Sequence, residues 1–161
     1  MALMKMISFP LPLAGLALLL VLKTSTAQSE SVERQIFEAA NQARRAQGLM
    51  RLKWDASLAR AAAQHAAAMA RAKTLSHQFK NEPSLPTRAA HAGVYFISLS
   101  ENVAQGPNAA NISLQWERSP EHRQNLLDPE MNVIGIGIAE RNGELFAVED
   151  FARIKSPIPL R

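Results

Sequence analysis

The stretch from Asp55 to Lys73 holds ten alanines, and it constrains the fold more than any other feature of the chain. Alanine has the highest intrinsic helix propensity, because its side chain loses no rotamer freedom on folding. The stretch therefore reads as a helix. Asp55 is suited to cap it, since a carboxylate accepts hydrogen bonds from the free amides of a first helical turn. Leu58, Ala62, His65, Ala66 and Met69 recur along one face. A face built largely from alanine requires a neighbouring layer that approaches its backbone closely.

The first segment is of a different kind. Met1 to Met6 carries Lys5, and Ile7 to Leu22 is almost wholly apolar. Lys23-Thr24-Ser25-Thr26-Ala27 follows, with small residues at Ser25 and Ala27. This is the layout of a cleavable signal peptide. Residues 1–27 are read as the leader, 28–154 as one domain and 155–161 as a C-terminal tail. An uncleaved anchor is the alternative, but a membrane-spanning helix needs about 20 apolar residues. This run is shorter and has Pro10 and Pro12 in its first half. The expectation is a secreted or periplasmic protein with no stable membrane span after cleavage.

Export permits disulfides, yet the chain has no cysteine. Thiolate metal sites and a cysteine nucleophile are thereby excluded. The formal net charge is +4, and part of it belongs to Lys5 and Lys23 of the leader. The remaining basic residues are scattered. Nucleic-acid binding calls for a concentrated basic stripe with aromatics for stacking, so no nucleic-acid partner is expected.

Other elements follow from periodicity and punctuation. Ser29 to Gln47 reads as a helix, with Gly48 as its left-handed stop. Leu52 and Trp54 read as core anchors. Thr74 to Leu99 reads as mostly irregular, because Pro83 and Pro86 break helices. Ser100 to Gly106 reads as a turn. Asn108 to Arg118 reads as a helix with Ile112, Leu114 and Trp116 as apolar contacts. Ser119-Pro120 starts a short helix that ends near Leu127, with Ser119 as its cap. Val133 to Ala139 and Glu144 to Ala152 read as strands joined by the Asn142-Gly143 turn.

Four histidines carry the candidate chemistry. His65 reads as a packed helix residue and His91 as a surface residue. His77 follows the alanine-rich helix. His122 sits in the first turn of a helix, where the dipole disfavours imidazolium. Glu101 lies between them in the sequence. Spacing alone leaves open whether the three share a site.

Several segments, taken in order, resemble one family. They are Asn41-Gln42-Ala43-Arg44 with Gly48, then Leu52-Lys53-Trp54-Asp55 and Leu75-Ser76-His77. Ser100-Glu101-Asn102-Val103-Ala104 with Gly106 follows, then Trp116 and Ser119-Pro120-Glu121-His122-Arg123 with Asn125-Leu126-Leu127. Ile134-Gly135-Ile136-Gly137 and Val148-Glu149-Asp150-Phe151 complete the set. The chain resembles the CAP superfamily, which includes cysteine-rich secretory, antigen 5 and pathogenesis-related proteins, and is most similar to its bacterial SCP-like branch. The resemblance implies an α+β fold, a three-layer α-β-α sandwich with a small antiparallel sheet. It also implies a surface cleft lined by His and Glu. His77 and Glu101 match two members of the four-residue set of eukaryotic relatives. Ser119, Phe146 and Glu149 stand where those relatives carry other residues, and Ser100 replaces a glycine before Glu101. His122 belongs to the bacterial variant.

Two functions are compatible with this reading. One is an extracytoplasmic module that binds a small-molecule, lipid or protein ligand, or a metal, in the cleft. The other is a metal-dependent peptidase or esterase with His77, Glu101 and His122 as the candidate catalytic residues. In either, the same three residues are the candidate ligands of zinc or another divalent cation, since nitrogen and carboxylate donors without thiolate suit such ions. Glu149 is a candidate base in the hydrolytic reading.

Overall fold

The computed structural model describes residues 32–155. The leader, and all of the tail but Lys155, lie outside them. The described elements are α1 (residues 32–46), β1 (Lys53–Trp54), α2 (Ala56–Ala72), α3 (Leu85–His91) and β2 (Phe96–Gly106). Then come α4 (Ala109–Arg118), α5 (Pro120–Leu126), β3 (Val133–Arg141) and β4 (Glu144–Ile154). Among the described residues no helix is long and apolar enough to cross a membrane.

The strands form one sheet in the order β1-β3-β4-β2. The fold is α+β, as expected, but the sheet is mixed rather than antiparallel. β2, β4 and β3 pair antiparallel, whereas β1 lies parallel to β3. A parallel pair needs a long crossover, and most of the domain separates these two strands. The two-residue β1 is too short to leave a period of its own in the sequence.

Side-chain alternation along β3 and β4 divides the core in two. Ile134, Ile136, Ala147 and Phe151 face α1, α4 and α5 and pack with Ile36, Ile112, Trp116 and Leu126. Val103, Phe146 and Val148 face α2 and pack with Ala62, Ala66 and Met69. Leu58 and Ala89 cover Val133 and Ala152 further along that face.

The alanine face of α2 meets the layer it required. It lies on β3 at Gly135 and Gly137, where an added Cβ would overlap the backbone of Leu58–Ala59 and Ala62–Ala63 respectively. Small residues on both sides let the helix and strand backbones nearly touch. Asp55 caps α2 by accepting from the amides of Ser57 and Leu58 at 2.9 and 2.8 Å. Lys73 ends it in a left-handed conformation. Asn142 and Gly143 take the positive φ angles of the tight turn between β3 and β4.

Several expectations need correction. Residues 74–99 are more ordered than their prolines suggest: Pro86 sits in the first turn of α3, where its missing amide costs nothing. Ser100 to Gly106 is not a turn but the inner half of β2. Ser100 therefore has an extended backbone, and no left-handed residue is needed there. Trp54 is 40% exposed and Leu114 is exposed too; Trp54 meets Phe37 in a T-shaped ring contact. Ser119 makes no side-chain cap bond. Gly48 does stop α1 with φ of 71°.

One buried cation ties the α1 layer together. Arg44 is fully buried and donates to the carbonyls of Met50, Leu126, Asp128 and Met131 at 2.9–3.3 Å. Met50 lies between α1 and β1 and the other three between the end of α5 and β3, so a single guanidinium joins two connections. Asn41 does similar service for Leu52, accepting from its amide and donating to its carbonyl.

Candidate functional site

On the face of the sheet covered by α2, between the two apolar clusters and near His65, polar side chains replace apolar ones. Strand β2 supplies Glu101, the segment after α2 supplies His77, and α3 supplies Arg88. Glu101 is buried. Its Oε1 lies 2.9 Å from His77 Nδ1, and its Oε2 accepts from Arg88. Arg88 also donates to the carbonyls of His77 and Pro83, which fastens the segment bearing His77. The His77 ring itself is 62% exposed. The carboxylate accepts from Nδ1–H and leaves the Nε2 side of the ring facing outward.

His122 enters from α5. Its Nδ1 is buried and finds no hydrogen-bond partner. Burial, and then the charge of nearby His77, hold its imidazole below the ordinary histidine range, with Glu121 opposing them. Asn102 fixes this part of α5 by donating to the His122 carbonyl, and Asn125 donates to the Glu101 carbonyl and to Asn102 Oδ1. The Ser-Glu-Asn and His-Arg-x-Asn segments thus bind each other across strand and helix.

The structure brings His77 and Glu101 into direct contact and sets His122 within electrostatic reach of His77. It does not bring Glu149 to them. That residue points into the α1–α4–α5 layer, is 1% exposed and accepts from Asn102. Burial raises its pKa to about 8, against the bond from Asn102, with Glu117 adding to the rise. A protonated carboxyl in the core cannot serve as a base in the cleft. Phe146 is a core residue of the α2 face. His91 is exposed at the end of α3. His65 is fully buried, as expected for a packed helix histidine, yet both nitrogens are engaged: Nδ1 with Glu82 at 2.8 Å and Nε2 with the Ser76 carbonyl at 2.7 Å.

Two participants were not anticipated. Arg88 lies in a segment that reads as irregular, and nothing local marks it. Asp150 lies opposite Glu101 in the β2–β4 register and is fully buried. Its signal was two adjacent acids in an otherwise apolar strand, which is costly unless partners are supplied.

The donor set does not make a three-ligand metal centre. Both Glu101 oxygens are committed, and among the described residues no group of three His, Asp or Glu side chains is arranged to hold an ion. The two imidazoles remain as possible donors, with Glu101 behind His77 in the position of an outer-sphere carboxylate.

The sandwich, together with a His–Glu pair at the end of its second helix, defines a class, and the comparisons agree. Residues 37–151 match the model of the CAP, cysteine-rich secretory protein family, and the chain belongs to that family. It is 29% identical over 121 residues to the protein YkwD of Bacillus subtilis. It is also similar to the crystal structure of an extracellular protein of Bacillus anthracis that contains an SCP domain, at 26% identity and a TM-score of 0.72 over 91% of this chain. An outer surface protein of Borrelia burgdorferi shares the fold, with a TM-score of 0.73 at 19% identity, over 79% of this chain and 96% of that one. The match spans 73% of this chain and 47% of YkwD, and 45% of the Bacillus anthracis protein, so those proteins carry sequence beyond the shared domain.

Proposed function

We propose that the protein is an exported binding module that takes its ligand in the cleft between His77 and His122. The observation that carries this reading is the mismatch in burial across one hydrogen bond. Glu101 and Arg88 are buried and committed to holding His77, while the ring they hold is 62% exposed. A histidine with a purely internal role would be covered along with its partner. Two imidazoles, when neutral, offer acceptor nitrogens to a ligand with hydrogen-bond donors, whether small molecule, lipid headgroup or protein, or to a divalent cation such as zinc. His77 and His122 would hold the cation, which would supply a Lewis-acid centre, and Glu101 would orient His77 from behind. Two imidazoles are fewer than the three or four protein ligands of a resident zinc, so the ligand or a partner would complete the shell. Export is supported by the layout of residues 1–27 and by the extracellular setting of the Bacillus anthracis relative.

Calorimetric titration with zinc alone tests the cleft. Wild type is expected to bind, and the double variant His77→Ala, His122→Ala to lose tenfold or more in affinity. Equal binding by both would move the site elsewhere. A peptidase and esterase screen with and without chelator, expected to be silent, tests the hydrolytic alternative.

A further inference from the structure

The buried acid Asp150 has no role in the account so far, and its surroundings are unusual. In antiparallel pairing, residues directly opposite place their side chains on the same face. Asp150 and Glu101 are such a pair, both on the face covered by α2. Asp150 is fully buried, and neither of its oxygens receives a hydrogen bond from any donor among the described residues. An ionised carboxylate in that position would be an unpaired buried charge, one of the costliest arrangements in a protein.

The charged groups around it show where the charge must be. From α3, Arg88 gives its ion pair to Glu101. From α2, His65 has Nε2 3.9 Å from Glu101 Oε2, but that nitrogen bonds the Ser76 carbonyl at 2.7 Å. Its Nδ1 faces Glu82, an acceptor as well. Both imidazole nitrogens thus have partners of their own, and neither is turned to Asp150. From the segment after α2, His77 faces Glu101. On β4 itself Glu149 points to the other layer. Arg88, the cation buried beside these acids, gives its ion pair to Glu101, and no donor of Arg88 or of either histidine reaches Asp150.

We infer that Asp150 is a neutral acid that donates its proton to Glu101, so that a hydrogen-bonded chain runs from the exposed ring of His77 through Glu101 into the core. Asp150 is a positioning residue. It acts on the cleft only through Glu101, restricting the carboxylate to the rotamer that accepts from His77. Burial, followed by the charge of Glu101, holds Asp150 well above the ordinary carboxyl range, with Arg88 pulling the other way, which agrees with the geometry. The inference rests on His77 being the cleft's recognition group only for its functional meaning, and its test uses the ligand-free protein.

The chain has three aspartates, Asp55, Asp128 and Asp150, so 13C labelling of the aspartate carboxyl carbon gives three signals. The signal assigned to Asp150 by its loss in Asp150→Asn is expected to keep the chemical shift of a protonated acid at pH 6. An ionised shift there overturns the inference. Positioning is read from the 15N signals of His77. The Nδ1–H tautomer bonded to carboxylate is expected to persist in Asp150→Asn, which retains a donor, and to be replaced by a tautomer mixture in Asp150→Ala. An unchanged His77 spectrum in Asp150→Ala would refute the positioning role. If Asp150→Ala does not fold, Asp150→Thr, smaller but still a donor, is compared with Asp150→Val, its donorless isostere. Absence of zinc or ligand binding would leave all these outcomes unaffected, so the two proposals fail separately.

Discussion

Two buried arginines anchor two polar clusters on opposite faces of the same sheet, and they are completed differently. Arg44 donates to four main-chain carbonyls, neutral acceptors that do not titrate. Arg88 serves one carboxylate in a group of ionisable side chains, and its own Nε, both Asp150 oxygens and His122 Nδ1 have no partner. The first cluster is closed, and it ties the connection after α1 to the one after α5. The second has protons to redistribute and one ring open to solvent. Unsatisfied buried polar groups are uncommon in native proteins, and here three of them belong to or adjoin the residues the sequence singled out.

The largest effect should come from the closed cluster. Arg44→Met removes the donor shared by four carbonyls, and a loss of about 4 kcal/mol is expected, read from urea denaturation. That loss should be the same at pH 5 and pH 8, since nothing there can adapt. A strongly pH-dependent loss would break the contrast. Arg88→Met should cost less, about 2–3 kcal/mol near neutrality, because the Glu101–Asp150 pair can take up a proton. Its cost should shrink towards acid pH, where that uptake is easier, and grow towards alkaline pH.

A third prediction concerns the wild type. Glu149, with its pKa raised to about 8, and Asp150 both bind protons more tightly folded than unfolded. Stability of this origin is fully present below the unfolded carboxyl values, around pH 4, and is lost as pH rises through the folded ones. Between pH 4.5 and 8 these groups should lower stability by up to about 1.4 kcal/mol per pH unit each. Glu149→Gln, which keeps the bond with Asn102, should flatten the profile. An unchanged slope in that variant would remove Glu149 as its source. The smallest effect belongs to His77→Ala, a mostly exposed ring. Stability should change by about 0.5 kcal/mol or less, measured by thermal melting, while zinc binding weakens. A large drop in melting temperature would recast His77 as a structural residue.

Much of the site was legible and some of it was not, for identifiable reasons. His77, Glu101 and His122 stood out because each sits in a distinctive local motif. Glu101 was nonetheless assigned to a turn, since Ser100-Glu101-Asn102 has the composition of one, and only pairing with β4 makes it a strand. Glu149 read as an available base because strand alternation alone does not say which face is open. Arg88 was invisible, because an arginine in a proline-containing stretch looks like any solvated residue until its partner, on a strand, is brought beneath it.

What the amino-acid order determined by itself is what short-range forces decide. The alanine-rich helix and its Asp55 cap, the left-handed stop at Gly48 and the Asn142-Gly143 turn depend on residues a few positions apart. So does the demand that something small lie against α2. Only the tertiary structure decided that Gly135 and Gly137 meet that demand, that β1 joins the sheet in parallel, and that Asp150 lies beside Glu101. Those outcomes turn on burial and charge pairing between segments distant along the chain, and the electrostatic state of a carboxyl is set by whichever groups the finished fold leaves around it.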